Sequence, residues 1–456
     1  MNTEPSTATL LEGDPATVDR KPRLKGSPNQ GLAMATLAFF GGFAGVSLFG
    51  PLVPKFSELM QLSPILAGVL VGIPNLSGAL LRIPFGAMVD RFGGKRPTLV
   101  LLCLPVIGLL SLIAVTASYY PNGMTSDLYS VLLLIGAVIG AGIATFSVGI
   151  GQVSYWFPQK KQGSALGIFG GLGNTAPGLF ALLLPVAVAA FGLTNAYLGW
   201  LAFVVAITLA YAIWAVDAPW FQLNCQADDQ KSVELARSCG QELIPSGGSW
   251  KALKTAGSDI RTWALVALYF TSFGGFLALT GWFPSYWRLY YEIPLVQAGF
   301  LTLIYSELAS FTRAGSGFIT DRLSGEVVLV ISIITMSVGA LAIALGSSFV
   351  ASIVGMVLMG TSMGAMNASV FKLVPRYVSR SVGGAAGWVG GVAAFGGFAI
   401  PPAMGAIVTA SGQAGYALGF LIFVGLGVMS LLIALALHRT SAAGTSAKSK
   451  SDARRA

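Results

Sequence analysis

Charge is scarce in this sequence. Asp, Glu, Lys and Arg make up 10% of its 456 residues, with one histidine and three cysteines. Each scarcity excludes something. His438 ends the last apolar run, and Cys103, Cys225 and Cys239 fit no zinc or redox spacing. No nucleophile–base constellation or metal-ligand cluster lies in the apolar runs, so neither an enzyme nor a metal or other cofactor is expected. The first 30 residues lack the short apolar core and small-residue cleavage site of a signal peptide. What is abundant is apolar: 54% hydrophobic residues and a mean hydropathy of +0.74. A soluble globular chain has no use for so much apolar surface, so the expected partner is a lipid bilayer and not nucleic acid.

A helix needs about 20 apolar residues to cross roughly 30 Å of hydrocarbon. Twelve runs qualify, near 31–54, 65–84, 97–117, 129–153, 164–189, 195–216, 262–283, 295–319, 327–347, 350–374, 383–407 and 413–438. The expected architecture is an all-α membrane protein of two six-helix bundles, 31–216 and 262–438. A disordered tail (1–30), a central polar loop (217–261) and a second tail (439–456) complete it. Of the 27 Lys and Arg, 23 fall on the side of the two tails and the central loop. Only Lys55 and Arg288 fall on the other. Such a bias places both termini in the cytoplasm and the chain in the cell's inner membrane. A monomer is the expected assembly, on no residue-level signal.

Two bases remain, Arg82 and Arg313, and both sit inside apolar runs. "RIPFGAMVDRFGG" (Arg82–Gly94) repeats as "RAGSGFITDRLSG" (Arg313–Gly325). The repeat pairs Arg82 with Arg313, Gly86 with Gly317, Asp90 with Asp321 and Arg91 with Arg322. A second repeat pairs "GSALGIFGGLGNTAPG" (Gly163–Gly178) with "GGAAGWVGGVAAFGG" (Gly383–Gly397). Parallel six-helix repeats are a transporter layout with a site near the midplane between the halves. Asp90 and Asp321 mark the surface. Each arginine, eight residues earlier, lies about 12 Å deeper at ~1.5 Å per residue. A charge at that depth costs about 2.5–3.5 kcal/mol even on the lenient scales. Glu307 is the only acid well inside a run, six residues from Arg313 and off its helix face. Two cations against one acid leave net positive charge, which points to an anionic substrate held by guanidinium forks.

The glycine runs put Gly167, Gly170 and Gly171, and Gly387, Gly390 and Gly391, on helix faces suited to close approach. The expectation is either tight packing or an interface that moves during transport. Asn174 interrupts the first run. It can meet a bound anion or bond to a neighbouring helix. Phe146, Tyr269 and Phe273 lie in the fourth and seventh runs, where composition alone makes them core aromatics.

"GAMVDRFGGKR" (Gly86–Arg96), twelve spans and the 6+6 repeat resemble the major facilitator superfamily over about 31–438. "WFPQKKQGSALGIFGGLGNTAPG" (Trp156–Gly178), "NASVFKLVP" (Asn367–Pro375) and "GWVGGVAAFGGFAIP" (Gly387–Pro401) resemble the NarK-type nitrate/nitrite porters within it. That resemblance implies a planar anion, nitrate or nitrite, held between Arg82 and Arg313. Phe146, Tyr269 and Phe273 would flank it and Asn174 would be nearby. It also implies alternating access, with the glycines at the moving interface. Ala394 stands where the first repeat has Asn174, so an asymmetric site is expected. Two arginines without a proton carrier suit nitrate/nitrite exchange. Proton symport through Glu307 is the alternative, as is a carrier of another organic or phosphorylated anion.

Overall fold

The computed structural model describes residues 24–223, 229–245, 248–346 and 348–452, without the side chains of 229–231, 249, 317–322 and 440–452. Residues 1–23, which hold most of the expected disordered tail, lie outside these. So do Cys225 and the side chains of Gly317, Asp321 and Arg322 in the second repeat.

The described residues form twelve long helical rods and no strand. They are α1 (Pro28–Met60), α2 (Pro64–Phe92), α3 (Lys95–Tyr119), α4 (Ser126–Trp156), α5 (Gln159–Phe191), α6 (Leu193–Trp214), α7 (Ile260–Tyr290), α8 (Leu295–Arg322), α9 (Gly325–Leu345), α10 (Phe349–Tyr377), α11 (Ser379–Leu418) and α12 (Leu421–Asp452). Eleven are apolar and long enough to cross a bilayer. The other, α8, has 28 residues, about 42 Å at ~1.5 Å each, which also suffices for length, but it carries Glu307 and Arg313.

Local chemistry sets the ends. Ser27 caps α1 by accepting the Gln30 N–H at 3.3 Å, with Pro28 in the first turn. Gly93, at φ 74°, turns the chain from α2 to α3, and a Cβ there would lie 2.5 Å from the Asp217 carboxyl carbon. That carboxylate accepts the Lys95 N–H at 2.8 Å, while the Tyr155 hydroxyl donates to Asp90 at 2.5 Å. The polar turn "DRFGGKR" is thus tied to α4 and to the chain after α6.

Four rods are irregular at mid-depth. There are 3-10 turns at Ala44–Ser47 of α1, Ala141–Ala144 of α4 and Ala393–Phe395 of α11, and a π-turn at Phe270–Gly274 of α7. All four segments are largely buried in protein, where the bilayer tolerates loosened backbone pairing.

The halves meet along two antiparallel seams, α2 on α11 and α5 on α8. On the side away from the termini, called distal here, both seams are closed on glycine. A Cβ on Gly68 would lie 2.5 Å from the Pro401 carbonyl oxygen, and one on Gly72 would lie 2.8 Å from that of Phe398. On the other seam, a Cβ on Gly178 would lie 2.5 Å from Ser306 Cβ. Without Cβ atoms the backbones approach closely, which is how helices associate where lipid supplies no hydrophobic drive.

The terminal side differs. Among the described residues, positions 163, 167 and 170 of α5 and 315 of α8 have nothing within 4 Å of where a Cβ would stand, although one on Gly171 would lie 3.8 Å from Ala314 Cβ. On the α2–α11 seam a Cβ on Gly391 would lie 3.0 Å from Ile83 Cγ1. Of the glycines expected on these faces, Gly167 is exposed and Gly170 is buried, and neither has a described neighbour within 4 Å of its Cβ position.

Residues 217–261, expected as a loop, contain three short helices, Pro219–Leu223, Asp229–Ser238 and Ser249–Gly257. The backbone of α12 likewise continues as helix to Asp452 into the expected tail. No proline intervenes to stop it.

Candidate functional site

Arg82 is 1% exposed on α2. Its Nη1 donates to the Gly390 carbonyl of α11 at 2.7 Å, across the seam between the halves. Gly390 precedes the 3-10 turn of α11, where i→i+4 pairing gives way to i→i+3 and the carbonyls of the preceding turn loosen. Nε and Nη2 of Arg82 have no hydrogen-bond partner. Arg313, half-buried on α8, likewise has no partner for Nη1.

The structure places the two arginines around the same rings. Their Cζ atoms lie 4.8 and 5.8 Å from the centre of one ring, Phe146. They lie 5.1 and 5.6 Å from the centre of a second, Phe273. The two rings stack at 6.0 Å and 24°. Two cations from opposite halves therefore share one aromatic pair. The π-turn of α7 carries Phe273, and Phe146 lies just past the 3-10 turn of α4. Tyr269 stacks on Phe273 at 5.0 Å and 10°, with its buried hydroxyl beside the Arg313 and Arg82 guanidinium groups.

Asn174 is 2% exposed, and its side-chain oxygen has no partner. Its main-chain carbonyl accepts from Ser310 at 3.2 Å. Ser310 is one helical turn from Arg313, so Asn174 sits at that arginine's level. Ala394 lies within the 3-10 turn of α11, so the two repeats differ here in backbone as well as in side chain.

The glycines divide. Gly390 stands against the rings of Phe146 and Phe371, each 3.8 Å from its Cβ position. The corresponding position on Gly391 is 3.0 Å from Ile83, and on Gly387 it is 3.2 Å from Leu253. Gly171 reaches only Ala314, at 3.8 Å. Glu307 is half-buried, six residues toward the distal side from Arg313. It makes no ion pair among the described residues.

Sequence reasoning missed part of this wall. Phe371 of α10 packs edge-on against Tyr269 at 5.0 Å and lies 6.0 Å from the Arg313 guanidinium. Phe39 and Phe169 back Phe146 at 5.1 and 6.1 Å. Phe371 lies in the quoted "NASVFKLVP", but a phenylalanine in an apolar helix carries no mark of the side it faces.

Magnitudes show what the protein leaves unsettled. Placing each arginine at mid-depth costs about 2.5–3.5 kcal/mol or more. A cation–π contact returns about 0.5–2 kcal/mol. A hydrogen bond to a charged donor returns about 1.5–3 kcal/mol. No carboxylate pairs with either guanidinium among the described residues, so the site keeps a positive field and unpartnered donors. A small planar oxyanion has the charge, the acceptors and the flat faces to satisfy them.

Two six-helix halves meeting on glycine seams, with facing cations at mid-depth, define a transporter-type helical bundle. The chain belongs to the Major Facilitator Superfamily, which it matches over residues 35–378 and again over 297–456. It is 28% identical to a probable nitrate transporter NarT of Staphylococcus epidermidis over 411 residues, covering 90% of this chain and 96% of that protein. It is 28% identical to a probable nitrate/nitrite antiporter NarK1 of Thermus thermophilus, covering 81% and 83%. It is 24% identical to a nitrite extrusion protein of Bacillus subtilis, covering 89% and 94%. The same fold occurs in the xylose transporter XylE from E. coli in a partially occluded inward-open conformation, at a TM-score of 0.65 and 13% identity, covering 89% and 96%.

Proposed function

We propose that this protein is a secondary active transporter that exchanges nitrate and nitrite across the inner membrane by alternating access, with both termini in the cytoplasm. The observation that carries the anion site is the sharing of Phe146 and Phe273 by two guanidinium groups that no carboxylate neutralises. Planar rings favour a flat anion over a tetrahedral one, and the guanidinium forks supply paired donors. The relatives' printed names support nitrate and nitrite as the cargo.

Exchange follows from charge. Without an anion the two cations repel each other, and bringing the halves together around them is unfavourable. A bound anion removes that repulsion, so the carrier cycles loaded. The closed distal seams, and the absence of a described neighbour at the Cβ positions of Gly163, Gly167 and Gly315, support a conformation facing the cytoplasm. The Lys and Arg bias supports that orientation.

The test is counterflow in proteoliposomes. Labelled nitrite should enter vesicles preloaded with nitrate or nitrite and stay out of vesicles loaded with chloride or phosphate. Uptake that ignores the internal anion and follows an imposed proton gradient would replace exchange with symport. Phosphate transport at the nitrate rate would remove the planar-anion site.

A further inference from the structure

We infer that the exposed face of the helix Ser249–Gly257 is a binding surface for anionic phospholipid headgroups, and that lipid held there steadies α11 next to the arginine site. The binding half of this inference needs only the membrane-spanning fold. The coupling half rests on the transport function proposed above.

The helix has two faces. One docks on the terminal end of α11. Ser381 Oγ donates to the Ala252 carbonyl and Trp388 Nε1 to the Leu253 carbonyl, each at 2.8 Å. Gly384 and Gly387 leave room for that approach. The other face carries Trp250, 67% exposed, with Lys251 and Lys254, both exposed. Trp250 and Lys254 are four residues apart, one turn, so they share a side.

Position argues for lipid. One residue pair beyond this helix, α7 enters the apolar layer. Ile260 is 78% exposed and Trp263 40% exposed on its first turn. Trp250 therefore sits at headgroup level, where tryptophan is favoured and lysine reaches toward phosphate. Charge argues for anionic lipid. Lys251, Lys254, Arg261 and Arg380 are all exposed around the docked helix. Asp259 caps α7 by accepting the Arg261 N–H at 2.9 Å and Glu326 is paired with Arg376 at 2.7 Å, so four cations against the one Asp259 carboxylate leave the cluster net positive among the described residues. A basic cluster with an exposed indole fits the negative surface of a cytoplasmic leaflet.

Coupling follows from what the helix holds. Its partners Ser381 to Trp388 lie within three turns of Gly390, the residue whose carbonyl takes Arg82. Fixing the helix to the membrane fixes the end of α11 that must move if the terminal side is to close.

Two readouts keep binding and coupling apart. The full chain, purified with gentle washing, should retain phosphatidylglycerol over phosphatidylcholine. The Lys251→Gln/Lys254→Gln double variant should lose most of that preference, several-fold, at unchanged monodispersity. In vesicles, wild-type nitrite counterflow should rise several-fold when about a third of the phosphatidylcholine is replaced by phosphatidylglycerol, and the double variant should not respond. Trp250→Ala, which keeps the charge, gives a second route if the double variant fails to insert. It should weaken retention less than the lysine changes do. Equal phosphatidylglycerol retention by wild type and the double variant overturns the binding surface. Lost retention with an unchanged lipid response overturns the coupling. If the variants lower exchange equally in both vesicle types, the helix is passive packing as far as transport is concerned, and the coupling half of the inference falls.

Discussion

Arg82 and Arg313 occupy equivalent places in a sequence repeat, yet the structure treats them differently. Arg82 is almost fully buried and spends one donor on the Gly390 carbonyl of the opposite half. Arg313 is half-buried, with three rings around it and an unpartnered Nη1. The difference follows the seams. Arg82 lies on the α2–α11 seam and bonds across it, and Arg313 lies on α8 next to Ala314, which faces Gly171 of α5. A repeat in sequence becomes a difference in space. One arginine braces the interface between the halves through that bond, and the other keeps an Nη1 with no described partner.

The largest effect expected is at these two positions. Arg82→Lys and Arg313→Lys should each lower nitrite exchange by about 10- to 100-fold, since lysine keeps the charge but loses the fork and a charge-assisted bond worth about 1.5–3 kcal/mol. Arg82→Lys should cost more, because it also gives up the bond to Gly390. Equal losses would erase the distinction between bracing and binding. Wild-type exchange in either variant, at normal membrane levels, would remove that arginine from the site.

The seams come next. Gly178→Leu places bulk against Ser306 where the backbones touch. It should slow turnover at least about tenfold while nitrate binding, read by calorimetry, changes little, because overpacking costs about 1–3 kcal/mol in the closed seam. Gly167→Leu meets nothing in the conformation described, so it should leave that state intact and slow only its closure. Cross-linking rates between the terminal halves of α5 and α8 would separate the two, with Gly167→Leu lowering them and Gly178→Leu not.

A smaller effect is expected from Tyr269→Phe. It removes one neutral donor worth about 0.5–1.5 kcal/mol and keeps the ring stack. The half-saturating nitrite concentration should rise about three- to tenfold with the maximal rate preserved. A fall in maximal rate alone would make the hydroxyl a structural group.

The smallest change should come from Glu307→Gln. Exchange should stay within about twofold of wild type, with no proton movement at a pH electrode in either protein, because the carboxyl lies about 9 Å along the helix from Arg313 at ~1.5 Å per residue. Nitrate-driven alkalinisation outside the vesicle that the variant abolishes would make Glu307 the proton site and the carrier a symporter.

The number of rods, their order and the two intramembrane arginines were legible in the sequence, because hydrocarbon imposes a length on every crossing and a cost on every charge. The repeat located the arginines on equivalent helices without any structure. Three-dimensional contact decided the rest. Nothing in "NASVFKLVP" distinguishes Phe371, which closes the wall beside Arg313, from a lipid-facing phenylalanine, since both satisfy hydrocarbon equally. Nor could glycine spacing tell which glycines touch. Those on the distal seams do, while Gly167 and Gly170 have no described neighbour within reach of a Cβ. Seam contacts depend on which side of the carrier is closed, and one sequence must serve both states. The bond from Arg82 to Gly390 spans 308 residues and meets the partner helix just before its 3-10 turn. Composition and periodicity are local and set what each helix can be. Which of its faces meets another helix is a property of the packed pair.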